Sequence, residues 1–308
     1  MTRRVVIVGG SGYLGQGLGQ ALAARGDDVL LLSRDPERAR RRGARGRLDR
    51  WSPHDVAGLA RLLDGVDAVV LLAGVPVGPW PWWLPGRRQA IVGSRIRPTA
   101  ATVEAIGRLS SERRPRVLIA ASGTDGYEGR DGVPATESTE YAGGFLADLC
   151  RAWEGEARQA GALGLRVAVV RIGFVLGRGA KGLGPVVLPF RIHLGGPLGT
   201  GRQWMSWIHV DDVVGLLQLA IDDDRVEGPI NAVSPEPARE ADVARAIGKA
   251  LGRTSWLRVP AVVIRLVMGE AAILALGSRR IAPARALELG YRFAWTDLPG
   301  AIRDALGR

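Results

Sequence analysis

Four β-branched residues, Val5-Val6-Ile7-Val8, run straight into Gly9-Gly10-Ser11-Gly12-Tyr13-Leu14-Gly15, and no other stretch constrains the fold of this 308-residue chain so tightly. An apolar run with no polar alternate belongs inside a sheet covered on both faces, the habit of parallel strands. Glycine then permits a sharp turn, and a helix pattern resumes from Tyr13 to about Arg25. Strand, glycine turn and helix in that order aim backbone N–H groups and a positive dipole end at one spot, as a dinucleotide pyrophosphate requires. Two spacings overlap here, Gly10-x-Gly12-x-x-Gly15 and Gly9-x-x-Gly12-x-x-Gly15, and their place between a strand and a helix sets them apart from an ordinary tight turn.

Val29 to Arg34 reads as the second strand, ending in Ser33-Arg34. An acidic residue near this point holds a ribose 2′-hydroxyl, whereas an arginine suits a 2′-phosphate through paired charge-assisted hydrogen bonds. NADP is therefore the expected cofactor. Helix patterns near Asp55 to Leu63, Arg88 to Arg108 and Gly143 to Gln159 alternate with strands at Ala68 to Leu72, Arg116 to Ala121 and Leu165 to Ile172. That alternation predicts an α/β fold with a Rossmann-like, doubly wound parallel sheet. Regular alternation is lost from about Phe174. The expected division is a cofactor domain at 1–173 and a smaller substrate-binding portion at 174–308, interleaved with a last sheet strand at Pro229 to Val233. Helices are expected near Asp211 to Ile221, Arg239 to Leu251 and Val259 to Leu276.

The formal charge of +11 raises the question of an acidic partner, with the densest cluster running from Arg38 to Arg50. Only Lys181 and Lys249 are lysines, so arginine is enriched along the whole chain, and no aromatic residues interleave with the cluster to stack bases. A solvated basic surface is expected, with no nucleic-acid partner. The apolar stretch Val259 to Leu276 is interrupted by Arg265, Gly269 and Glu270, so no membrane span is expected. The strand and glycines follow Met1-Thr2-Arg3 at once, so a cytoplasmic protein without a signal peptide is expected. Cys150 is read as a small buried residue. His54, His193 and His209 lack ligand spacing, so no metal site is expected.

Ser122, Thr124 and Tyr127 follow the fourth apolar strand of this pattern, at the carboxyl edge where such sheets place their chemistry. The segment Val75 to Gly86 carries four prolines together with Trp80, Trp82 and Trp83. Proline excludes a regular element there, and the tryptophans are expected either to cover an apolar substrate or to pack on the domain or a second subunit. Trp204 and Trp207 are candidate walls of the same substrate site. In Trp207-Ile208-His209-Val210-Asp211-Asp212, a structural role is favoured for His209, with Asp211 as helix N-cap.

GGSGYLG, LLSRDP, DAVVLLAG, FLADLCRAWE, GGPLGTGRQWMSWIHVDD and the stretch from Arg258 to Phe293 together resemble the atypical extended short-chain dehydrogenase/reductases, epimerase-like NADP-binding oxidoreductases with a characteristic C-terminal region. The resemblance implies an extended Rossmann fold binding NADP(H). It implies cofactor contacts at Gly9, Ser11, Gly12, Tyr13, Leu14, Gly15, Ser33, Arg34, Leu72, Ala73, Gly74, Ala121 and Arg171. The wider superfamily works with a Tyr-x-x-x-Lys pair, in which the lysine lowers the tyrosine pKa so that a proton moves with the hydride. Phe145 and Leu149 stand at those places, a gap the resembling family shares. The family's Ser-Ala-x-Gly-Tyr-Tyr-Gly loop corresponds to Ser122 to Gly129, one residue longer and with Glu128 for the second tyrosine. Ser122 (or Thr124) is thus the candidate hydrogen-bond donor, Tyr127 the candidate acid, and Glu137 a further candidate. The expected function is hydride transfer on an apolar carbonyl or activated-alkene substrate by a monomer or homodimer. The alternative is an NADPH-binding sensor without turnover.

Overall fold

The computed structural model describes residues 2–77, 86–129 and 132–308. Trp80, Trp82 and Trp83, the expected cover of the substrate site, lie outside the described residues. Among those described, six strands of the central sheet come first: β1 (Arg4–Val8), β2 (Asp28–Ser33), β3 (Arg47–Arg50), β4 (Ala68–Leu71), β5 (Val117–Gly123) and β6 (Arg166–Ile172). Three short strands, β7 (Phe174–Leu176), β8 (Trp204–Met205) and β9 (Trp207–His209), precede β10 (Gly228–Ala232), which returns to the sheet, and β11 (Ala238–Arg239). The seven-stranded order is β10-β6-β5-β4-β1-β2-β3, with every pairing parallel. The winding direction reverses between β1 and β4. Val8 is in register with both Leu32 and Leu71, so the carboxyl ends of β1, β2 and β4 open a crevice at the switch point.

The helices are α1 (Tyr13–Ala24), α2 (Pro36–Arg41), α3 (Val56–Leu63), α4 (Arg87–Gly107), α5 (Phe145–Arg158), α6 (Leu183–Arg191), α7 (Val210–Asp222), α8 (Glu240–Leu251), α9 (Ala261–Met268), α10 (Ala272–Leu276), α11 (Ala284–Glu288) and α12 (Leu298–Ala305). Alternate residues of each strand face opposite layers. Val5, Ile7, Val70 and Ile119 pack with Leu18 and Leu22 of α1 and Val213, Leu216 and Leu217 of α7. Val6, Val8, Val69 and Leu118 pack with Leu59 and Leu63 of α3 and Ala105 and Ile106 of α4. A third cluster, including Leu176, Phe190, Trp207, Ile247 and Ile302, holds the C-terminal elements together.

One segment gains elements and two local expectations change. The basic cluster contains α2 and the edge strand β3, in which Leu48 alone is buried, and charges along an outer strand discourage pairing with another chain. The single helix expected from Val259 to Leu276 is α9 and α10, separated at Gly269, whose φ of 56° with ψ of −133° is a backbone region that side chains disfavour. The N-cap of α7 is His209 instead of Asp211: its Nδ1 accepts from the Asp211 N–H at 3.3 Å. No helix among the described residues is long and apolar enough to cross a membrane.

Candidate cofactor crevice and active site

The turn after β1 has little room for side chains. Gly9 has φ +83°, and a Cβ there would stand 2.7 Å from the Ala73 backbone; one at Gly15 would stand 2.6 Å from Gly10 Cα. The β1 turn, the β4 end and the start of α1 are thus in backbone contact. The N–H groups of Tyr13, Leu14 and Gly15, in the first turn of α1, have no main-chain acceptor among the described residues. No side chain caps Gly12, so these donors face the crevice. The Tyr13 phenol points elsewhere, against Gly177, and burial pushes its pKa up to about 12. Tyr13 therefore offers the crevice its backbone.

Ser33 Oγ donates to Ser11 Oγ at 3.0 Å, tying the end of β2 to the glycine turn. Arg34 beside it is exposed, with no carboxylate partner among the described residues. Asp35 is occupied as the N-cap of α2, accepting from Arg38 N–H at 2.9 Å. The arrangement leaves the Arg34 guanidinium at the end of β2 without a carboxylate partner among the described residues and keeps the adjacent carboxylate occupied as a cap. Leu72, Ala73 and Gly74 continue from β4, with Leu72 N–H bonded to the Val8 carbonyl at 2.8 Å. These groups fit the pyrophosphate and phosphorylated ribose of NADP.

The β5 end is built differently. Ala121 and Ser122 close the strand, Ser122 being 4% exposed. The Ser122 hydroxyl is buried without a hydrogen bond of good geometry, beside Cys150 and Glu154. Thr124 is buried in the turn that follows. Tyr127, 2% exposed, donates its hydroxyl to Asn231 Oδ1 at 2.9 Å and accepts from Arg171 Nη1 at 2.5 Å. Burial raises its pKa, and the nearby Arg171 charge only partly opposes this. Arg171 grips Glu154 through Nε at 2.9 Å and Nη2 at 2.8 Å, so every guanidinium nitrogen has a protein partner. Tyr141 donates to Glu154 at 2.6 Å, and its ring lies 4.4 Å from the Arg171 guanidinium. Burial pushes Glu154 toward neutrality, but the bonds and charge of Arg171 outweigh it and hold the carboxyl below its ordinary range. Glu137 Oε1 accepts from the N–H groups of Asn231 at 2.9 Å and Arg285 at 3.2 Å, joining β10 to α11.

Phe145 and Leu149, expected at the places of the superfamily's Tyr and Lys, lie in the first part of α5, where Leu149 is buried. Trp207, expected as a substrate wall, is 0% exposed, with its indole N–H bonded to the Glu236 carbonyl at 2.9 Å. It is a core residue. Trp204 is half-buried beneath the Arg239 guanidinium. His209 pairs through Nε2 with Asp304 at 3.2 Å and packs on Trp295, so its role is structural.

Sequence reasoning missed Arg95 of α4. A Cβ at Gly74 would lie 3.2 Å from its guanidinium carbon, which also stands 5.2 Å from the Trp153 ring. No carboxylate among the described residues pairs with Arg95; burial lowers its pKa, opposed in part by Cys150 and Asp125. Nothing in sequence marks it among so many arginines. Glu154 did carry a signal, because the spacing of Leu146, Cys150, Trp153 and Ala157 places it on the buried face of α5.

A doubly wound parallel sheet with a glycine turn at its switch point defines a Rossmann-type dinucleotide-binding protein. The model of the NAD dependent epimerase/dehydratase family matches residues 5–232, and the chain belongs to that family. A domain of unknown function matches residues 259–305. The chain is 34% identical over 306 residues to the human epimerase family protein SDR39U1, covering 98% of this chain and 99% of that protein. It is 35% identical to the chloroplastic homologue from Arabidopsis thaliana, over 97% of this chain and 85% of that protein. The crystal structure of human SDR39U1 (isoform 2) with NADPH superposes with a TM-score of 0.87 at 33% identity, covering 99% of each chain. UDP-glucuronic acid 4-epimerase from Bacillus cereus, at 16% identity and a TM-score of 0.77 over 99% of this chain and 96% of that one, shares the fold.

Proposed function

We propose that this protein is an NADP(H)-dependent oxidoreductase that transfers hydride to or from a carbonyl or activated-alkene substrate at the carboxyl edge of β4 and β5. The observation that carries this reading is the glycine turn with its free N–H groups beside the unpaired Arg34. The human relative with NADPH in its crystal structure supports the same cofactor. Bound there, NADPH supplies the hydride. An apolar substrate finds no support in Trp207, which is core, so the reacting group defines the class.

We assign the remaining roles from the hydrogen-bond partners of each side chain. Arg171, Tyr127 and Glu137 have polar atoms committed to one another and to β10, so we read them as the frame of the site instead of its cofactor contact, its acid and a further catalytic candidate. Arg95 beside Gly74 donates through Nη1 to the Ile91 carbonyl but has no carboxylate partner among the described residues, and it takes the part of polarising the substrate oxygen where no Tyr-Lys pair exists. Ser122 and Thr124 remain the hydroxyls nearest the β5 edge.

Titration should show tighter binding of NADPH than NADH, and Arg34→Ala should weaken NADPH by about ten- to a hundredfold, the loss of one bidentate charge-assisted contact. Equal affinities for the two cofactors would refute the assignment. Arg95→Met should lower kcat by on the order of 10² while leaving NADPH affinity intact, as removing one electrostatic stabiliser does. A sensor without turnover is the second reading, favoured by Phe145 and Leu149. Failure of wild-type protein to oxidise NADPH with any of a broad set of aldehydes, ketones and enones would select it.

A further inference from the structure

Away from the glycine turn, a cavity of about 670 Å³ opens between the loop around Thr200, the start of α8 and the segment at Leu276 to Ser278. Arg202, Gln203, Arg239, Asp242 and Leu276 contribute to its lining. Asp242 is taken by Arg245 at 2.8 Å, and Gln203 donates to the carbonyls of Leu198 and Ala275. Arg202 and Arg239 have no carboxylate partner among the described residues. The Arg239 guanidinium lies 3.5 Å from the Trp204 ring centroid and donates to the Arg202 carbonyl, so it is held in place before any ligand arrives. An arginine stacked in this way keeps N–H directions for an acceptor and loses little further freedom on binding.

Two guanidiniums without a carboxylate partner among the described residues, beside one carboxylate that Arg245 neutralises, leave the concavity a positive field for an anion, and their fork geometry matches a carboxylate or phosphate. Leu276 and Ala241 supply an apolar wall. We propose that this cavity binds a small organic anion, a carboxylate or phosphate ester, gripped by Arg202 and Arg239 with its carbon body against Leu276. The cavity lies close behind the β5 loop: a Cβ at Gly129 would overlap the Ser278 carbonyl, and Arg279 Nε donates to the Tyr127 carbonyl at 3.3 Å.

Calorimetric titration of the full chain with inorganic phosphate, acetate, benzoate and phenyl phosphate tests this. At least one of the two aromatic anions should bind saturably and more tightly than its inorganic or acetate counterpart, with NADPH already bound. Arg202→Ala and Arg239→Ala should each weaken it by about tenfold, as loss of a charge-assisted bond does. Arg239→Lys should also weaken it, because a point charge replaces the stacked planar fork. NADPH affinity should stay unchanged in all three variants, which reports that they are folded. Preference for phenyl phosphate assigns a phosphate ester, and preference for benzoate a carboxylate. The proposal is overturned if none of the four anions binds saturably, if the double alanine variant binds as wild type does, or if NADPH displaces the anion.

Discussion

Two glutamates, one in each half of the chain, are buried almost equally and carry opposite electrostatic fates. Glu154, 1% exposed, sits on α5 against Arg171 of β6 and receives the Tyr141 hydroxyl. Glu240, 3% exposed, opens α8 and, among the described residues, accepts the Leu198 N–H at 3.0 Å and makes no salt bridge. Burial raises both. At Glu154 the guanidinium reverses the effect, whereas Glu240 is pushed up to about 7. Burial alone therefore does not decide the charge of a carboxyl group in this protein; the partner does.

The largest effect should come from separating the ion pair. Glu154→Leu leaves Arg171 buried without its counter-charge, and breaking a buried pair from one side costs about 3–5 kcal/mol. Chemical denaturation would show it as a lower midpoint with unchanged slope. A Glu154→Leu, Arg171→Leu double variant should recover part of the loss, because no charge is then stranded; no recovery would mean that packing, not charge, dominates there.

Glu240 should produce the next effect, and it should depend on pH. Its folded pKa is raised, so the stability tied to its protonated form is fully present below the unfolded value near 4.5 and is lost as pH rises through about 7. On the order of 3–4 kcal/mol is at stake across the full transition, at about 1.4 kcal/mol per pKa unit. Glu240→Gln should therefore resemble wild type at pH 5 and exceed it in stability at pH 8. Parallel pH profiles for the two proteins would contradict this account.

Tyr127→Phe should have the smallest effect. It removes the donor to Asn231 and one partner of Arg171 while Glu154 remains in place, a cost of about 1–2 kcal/mol in stability. NADPH affinity should not change. A loss of turnover by on the order of 10² or more without loss of stability would instead restore Tyr127 as the acid.

The fold and the glycine turn at its switch point were legible because their signals are contiguous. Val5 to Gly15 and Val29 to Ser33 each carry a strand and the turn that follows it within a few residues. The active-site side was less legible. Ser122, Tyr127 and Glu137 could be placed near the carboxyl edge, but whether a phenol there meets solvent or a guanidinium depends on distant segments. Trp207 shows the same limit, since an aromatic residue in a family string fits a ligand wall and a core equally well until its neighbours are known.

Sequence by itself thus determined the parallel α/β fold, the glycine turn and the Ser33-Arg34 edge, since φ/ψ freedom, β-branching and charge act locally. Only the tertiary structure decided that Tyr127, Tyr141, Glu154, Arg171 and Asn231 form one buried network and that Arg95 and Arg239 stand without carboxylate partners among the described residues. Tyr127 and Asn231 are 104 residues apart in the chain and meet because β5, β6 and β10 are neighbours in the sheet. A side chain's protonation and availability follow from such neighbours and from the water they exclude.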